Sequence, residues 1–157
     1  MLTRSITPTL QRLASSFPVL AMTGPRQSGK ATLAHAQFAD KPYVSLEDPV
    51  ERAFANEDPR GFLARFTEGA VFEEAQRWPD LFSHLQGMVD ADRRPGRFIL
   101  TGSQQFGLLA GVTQSLAGRV GMTRLLPLAA TEIPAVADRQ ISLDGLLLKG
   151  GYPCAAG

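Results

Sequence analysis

Gly24-Pro25-Arg26-Gln27-Ser28-Gly29-Lys30-Ala31-Thr32 sits between two segments of opposite character. Before it, Phe17-Pro18-Val19-Leu20-Ala21-Met22 reads as a buried strand that ends at Thr23-Gly24. After it, a helix is expected to open at Gly29 and run to about Ala39. A loop in that position turns its backbone N–H groups inward, and the helix N-terminus adds partial positive charge. Gly24 and Gly29 allow the backbone to bend and to approach an anion with no Cβ in the way. Lys30 adds a point charge. The segment is therefore expected to cup a polyphosphate. The competing reading is a glycine-bearing turn with a solvated lysine.

Outward from the loop, strands and helices alternate. Ile6, Leu10 and Leu13 predict a short amphipathic helix over residues 3–15, with Pro8 in its first turn. Tyr43-Val44-Ser45-Leu46 reads as a second strand, and Glu47-Asp48-Pro49 as a helix start. Residues 49–66 predict one broken helix or two short ones, with Pro59 beginning the second. Ala70-Val71-Phe72 is a third strand. Leu81, Phe82, Leu85, Met88 and Val89 then fall on one helical face. Arg97 to Ser103 is a fourth strand. A helix is expected from about Gln104 to Leu116 and a fifth strand over 120–128. Further helices are expected near 129–137 and 143–149. The pattern predicts a three-layer α/β fold with a mainly parallel sheet in one domain spanning 1–157.

The bulk properties exclude several classes. With 157 residues and 44% apolar content the chain can bury a core. A net charge of +1 gives no electrostatic case for nucleic acid or an acidic membrane surface. Arg93, Arg94 and Arg97 form too short a basic run for a nucleic-acid stripe. No apolar run approaches the roughly 20 residues that span a bilayer. One cysteine, Cys154, forbids an intrachain disulfide. The default location is cytoplasmic.

The phosphate loop has the strand–turn–helix context of a Walker A motif, in which the lysine reaches the β- and γ-phosphates. It departs from that motif at Ala31, where a Ser or Thr hydroxyl would ligate Mg²⁺. Thr32 is rotated by about 100° along the helix and is no simple substitute. Glu73 and Glu74 end the third strand, the position of a Walker B pair. Glu73 stands where Asp would hold the Mg²⁺ hydration shell, one methylene longer than usual. Glu74 matches the acid that activates the attacking water. The bland alternative is a solvated acid pair. Ser103, at the end of the fourth strand, can hydrogen-bond the γ-phosphate or the attacking water, or cap the next helix, and the two readings are compatible. Arg119 is either an arginine finger for a neighbour's nucleotide or a surface residue. Trp78 is expected to pack. His35 and His84 are isolated on helices and are assigned no role.

Several runs together resemble one family: residues 17–30, Leu46-Glu47-Asp48-Pro49, residues 74–82, residues 96–106, Ser115-Leu116-Ala117-Gly118-Arg119 and Gly150-Gly151-Tyr152-Pro153. They are similar to prokaryotic ATP-binding proteins of the AAA+ superfamily, which carry an AAA domain and then a C-terminal domain of unknown function. The resemblance implies a sheet in the order 5-1-4-3-2, ATP with Mg²⁺, and a Walker B acid pair. It also implies longer relatives, so the chain is expected to be a truncated or partial form. Assembly into a homo-oligomer is a further implication.

Two functions follow. The first is an ATPase with Lys30 neutralising charge, Glu74 activating water and Ser103 positioning it. The second is a non-catalytic nucleotide-binding or assembly module. Ala31 and Glu73 discriminate them, and they predict binding that depends little on the metal. A small-molecule kinase is a third, weaker reading, because no substrate-lid signature is visible.

Overall fold

The computed structural model describes residues 6–25, 28–103, 110 and 114–125. Helix α1 (Thr7–Ser16) has proline in its first turn, where the missing N–H costs nothing, and leads to strand β1 (Val19–Thr23). Helix α2 (Lys30–Gln37) follows the phosphate loop, then strand β2 (Tyr43–Ser45). Residues 49–66 do form two helices, α3 (Pro49–Glu57) and α4 (Pro59–Ala64). Each begins with Asp-Pro. The Asp48 carboxylate accepts from Val50 N–H at 2.9 Å and that of Asp58 from Gly61 N–H at 3.0 Å. Pro59 has no N–H to continue α3, so the chain breaks and restarts there.

Strand β3 (Ala70–Glu73) runs into a single 3₁₀ turn, Ala75–Arg77, that periodicity alone did not foretell. Helix α5 (Leu81–Ala91), strand β4 (Phe98–Gly102) and strand β5 (Val120–Arg124) complete the described elements. The helices expected near 129–137 and 143–149, most of the one over 104–116, and Cys154 lie outside the described residues.

The strands form one five-stranded sheet in the order β2-β3-β4-β1-β5, with every pairing parallel. Read from the other edge this is the expected 5-1-4-3-2. Alternation across the pleat divides the core in two. Val19, Ala21, Phe72, Phe98 and Leu100 meet Phe62 of α4 and Leu81, Leu85 and Val89 of α5. Leu20, Met22, Val71 and Ile99 face the other way, onto Leu10 of α1 and Leu33 and Ala34 of α2. Trp78 packs as expected, edge-on to Phe62 at 5.3 Å between ring centroids. Phe66 stands edge-on to Phe72 at 5.5 Å. Such pairs add about 1 kcal/mol each beyond their burial, so the underside of β3 is well anchored.

Arg97 is not part of a surface basic patch. It is buried, and its guanidinium donates to the carbonyls of Thr67, Met88 and Asp92 at 2.7 to 3.2 Å. Those contacts tie the end of α5 and the turn after α4 to the start of β4. Arg97→Ala strands three carbonyls beside a cavity. The expected loss is about 2 kcal/mol of stability, read as a lower urea midpoint with an unchanged slope.

Candidate nucleotide site

In an open parallel sheet, ligands bind beyond the carboxyl ends of the strands. Here the ends of β1, β3 and β4 carry Gly24, Glu73-Glu74 and Ser103 respectively. Gly24 is required for a reason that sequence reading did not give. A Cβ there would run into the carbonyl oxygen of Leu125, just past β5. Leu125 N–H donates to Thr23 O at 2.7 Å, which holds the two chains that close. Gly29 stands at φ 88°, ψ 18° as the N-cap of α2, a left-handed conformation that favours glycine.

Lys30 is not solvated. It is 7% exposed, and its Nζ donates to Gly24 O at 3.0 Å and Pro25 O at 2.8 Å. Ser28 is buried, and its N–H donates to Pro25 O at 3.4 Å. The loop is thus bent around its own lysine. Arg26 and Gln27 lie outside the described residues. Ala31 and Thr32 follow on α2, and both border the adjoining cleft, Thr32 from an exposed position.

Glu74 is the sole non-glycine residue with positive φ among those described, at φ 54°, ψ 49°. Its carboxylate is largely buried. Oε2 accepts from Ser103 Oγ at 2.8 Å, from Ser103 N–H at 3.4 Å and from Gln76 Nε2 at 2.6 Å. The structure therefore joins Glu74 to Ser103 and adds Gln76, a residue that sequence reading passed over. Glu73 has its own neighbour. Tyr43 pairs in register with Val71, which puts it on the same face as Glu73, two residues along. Burial first, then the charge of Glu73 and a hydrogen bond to it, hold the Tyr43 hydroxyl protonated far above the usual phenol range. His35, read as isolated, stacks on the Tyr43 ring at 3.8 Å and 19°.

These elements enclose a cleft of about 340 Å³. Gly29, Lys30, Ala31 and Thr32 form one wall, and Glu47, Glu73, Glu74 and Thr101 the other. A polyphosphate fits the first wall, with the N-terminus of α2, the lysine and the left-handed glycine. The second wall carries three carboxylates and would repel a bare anion. A divalent cation bound with the nucleotide would resolve that conflict. Among the described residues no cluster of three His, Cys, Asp or Glu could cage a metal alone. The donor set suits Mg²⁺, which is commonly held by one or two carboxylates plus substrate phosphates.

Arg119 is not brought into this cleft. It precedes β5, and its carbonyl accepts from Val19 N–H at the opposite end of the sheet. Its guanidinium is engaged by Asp90, at 2.6 and 3.1 Å. Among the described residues no helix is long and apolar enough to cross a membrane.

Comparison with known proteins agrees with this architecture. The chain is 36% identical over 146 residues to uncharacterized proteins of Mycobacterium bovis and Mycobacterium tuberculosis. The match takes in 92% of this chain but 32% of theirs, so the chain spans about a third of the length of these curated relatives. Among solved structures it is similar to a Walker-type ATPase of Pyrococcus abyssi, with a TM-score of 0.61 at 16% identity, covering 88% of this chain and 57% of that one. It is also similar to AMPPCP-bound DnaA from Aquifex aeolicus, with a TM-score of 0.56 at 16% identity, covering 96% and 56%. At such identities the likeness is one of fold. The model of the AAA domain family, however, matches residues 16–134, from the last residue of α1 to beyond β5, and the chain belongs to that family.

Proposed function

We propose that the cleft binds ATP with Mg²⁺ and supports its hydrolysis. The observation that carries this reading is the facing of two prepared groups across one space: Lys30 drawn in by the phosphate loop, and Glu74 held against Ser103. Gly24, Pro25, Ser28 and Gly29 shape the loop, and Arg26 and Gln27 complete it in sequence. Mg²⁺, when bound with the nucleotide, supplies charge neutralisation of the phosphates. Glu73 would hold its hydration shell, steadied by Tyr43. Glu74 would accept the proton of the attacking water, and Ser103 would orient that carboxylate. A finger role for Arg119 is open only towards a neighbour's nucleotide, in a homo-oligomer, and requires release from Asp90.

The non-catalytic reading is favoured by one observation, the methyl of Ala31 in the cleft wall where the motif has a hydroxyl. Calorimetric titration with ATP, with and without Mg²⁺, tests the site, and phosphate release tests the chemistry. The expected result is binding in both media, about tenfold tighter with Mg²⁺, a larger metal dependence than Ala31 and Glu73 alone predict, because three carboxylates line the cleft with the phosphates. Ala31→Thr/Glu73→Asp is expected to turn over ATP about tenfold faster than the parent. Absence of ATP binding in both media would refute the proposal. Binding without turnover by either protein would leave the assembly module as the function.

A further inference from the structure

Thr101 breaks an otherwise apolar strand. It follows Phe98, Ile99 and Leu100 in β4, it is fully buried, and it pairs in register with Met22 of β1. The β3–β4 register, Val71 with Ile99 and Phe72 with Leu100, carries it to the level of Glu73. Ile99 and Thr101 share a face of the pleat, the α2 face that also bears Val71 and Glu73. Its Oγ1 has no hydrogen-bond partner among the described residues, and the residue lines the cleft together with Ala31, Glu73 and Glu74. A buried hydroxyl that no protein atom satisfies is costly, and most are paired in folded proteins. The shape of the strand offers no reason to retain it, since valine would fill the same volume.

We infer that Thr101 supplies, from β4, the hydroxyl that Ala31 lacks on α2, and that its Oγ1 serves the hydrated Mg²⁺ accompanying ATP. The two positions border the same cleft, Ala31 from α2 and Thr101 from β4. This gives the metal end of the site an oxygen ligand or water-holding group besides Glu73, matching the oxygen chemistry that Mg²⁺ selects. Thr32 also borders the cleft, but from an exposed position, where a hydroxyl can be satisfied by solvent and needs no ligand to account for it. The inference rests on the ATP reading of the cleft.

The test uses the whole chain and ATP in either MgCl₂ or EDTA, with thermal unfolding measured without nucleotide. Thr101→Val is expected to lose the roughly tenfold gain that Mg²⁺ gives, while its affinity in EDTA stays that of the parent. Without nucleotide its unfolding midpoint stays level or rises, because an unmet polar group has been removed. Thr101→Ser keeps the metal gain. In an Ala31→Thr background, Thr101→Val costs less than about threefold, since one hydroxyl now replaces the other. A Thr101→Val protein that keeps the full metal gain overturns the inference and leaves ATP binding standing. So does a cost in the Ala31→Thr background as large as in the parent. A parent chain that binds no ATP in either medium removes the reading of the cleft and the inference with it.

Discussion

Lys30→Ala is expected to weaken ATP binding by at least about a hundredfold, with the fold intact. Among the described residues, the ammonium is the one cationic side chain lining a cleft with three carboxylates. Without it, a polyphosphate meets Glu47, Glu73 and Glu74 with only backbone dipoles in its favour. The loss has a second component. Nζ now occupies the carbonyls of Gly24 and Pro25, at 3.0 and 2.8 Å. Once it is gone, two partial negative charges stand uncovered in the loop meant for an anion. Charge-assisted hydrogen bonds from the ammonium to phosphate oxygens would contribute roughly 1.5–3 kcal/mol each, and two of them correspond to a hundredfold or more. Calorimetry in excess Mg²⁺ measures the affinity, and circular dichroism checks the fold. Lys30→Arg is expected to fall between, because a planar fork cannot fold back onto the same two carbonyls. An alanine variant that binds within threefold of the parent would remove the phosphate loop from the account.

The fold was largely written in local signals. The glycine-bounded loop between an apolar run and a helix specifies a βα unit, and Asp-Pro at 48–49 and 58–59 marks two helix starts. Four short apolar segments without polar alternation announce a sheet covered on both faces. Strand order is different: residue spacing says nothing of which edges meet, and it came from family resemblance rather than from periodicity. The site was legible in part for the same reason. Its residues at strand and loop ends carry motif spacing, whereas the groups that tune them are remote in sequence. Tyr43 reaches Glu73 only because β2 pairs with β3 in one register. Thr101 was visible as a hydroxyl in a buried strand, but its lack of a partner is a property of packing. Gly24 shows the limit well. Its importance was readable, yet the contact that enforces it comes from Leu125, 101 positions on. The burial of Arg97 was not legible, because only the fold brings three carbonyls around it.

Glu74→Gln is expected to lower the rate of phosphate release by about a hundredfold or more, with ATP affinity little changed. A positioned general base contributes roughly 10²–10⁴ in rate, and the amide removes the basicity while keeping the shape. Its carbonyl oxygen can still accept from Ser103 Oγ and Gln76 Nε2, which now lie 2.8 and 2.6 Å from Oε2. The loss should therefore appear in kcat and not in binding. The backbone supplies an independent reason to look here. A glutamate at φ 54° occupies a region that costs of order 1 kcal/mol for any residue with a Cβ. Glycine would hold that turn more cheaply, so stability alone does not explain the glutamate. Glu74→Gly makes the comparison direct: turnover is expected to vanish while the unfolding midpoint changes by no more than a few degrees. If the parent rate is slow, the same substitutions in the Ala31→Thr/Glu73→Asp background give a higher baseline. Turnover by Glu74→Gln at the parent rate would mean that the strained acid serves the turn between β3 and α5 and not the chemistry, and hydrolysis by this cleft would need another base.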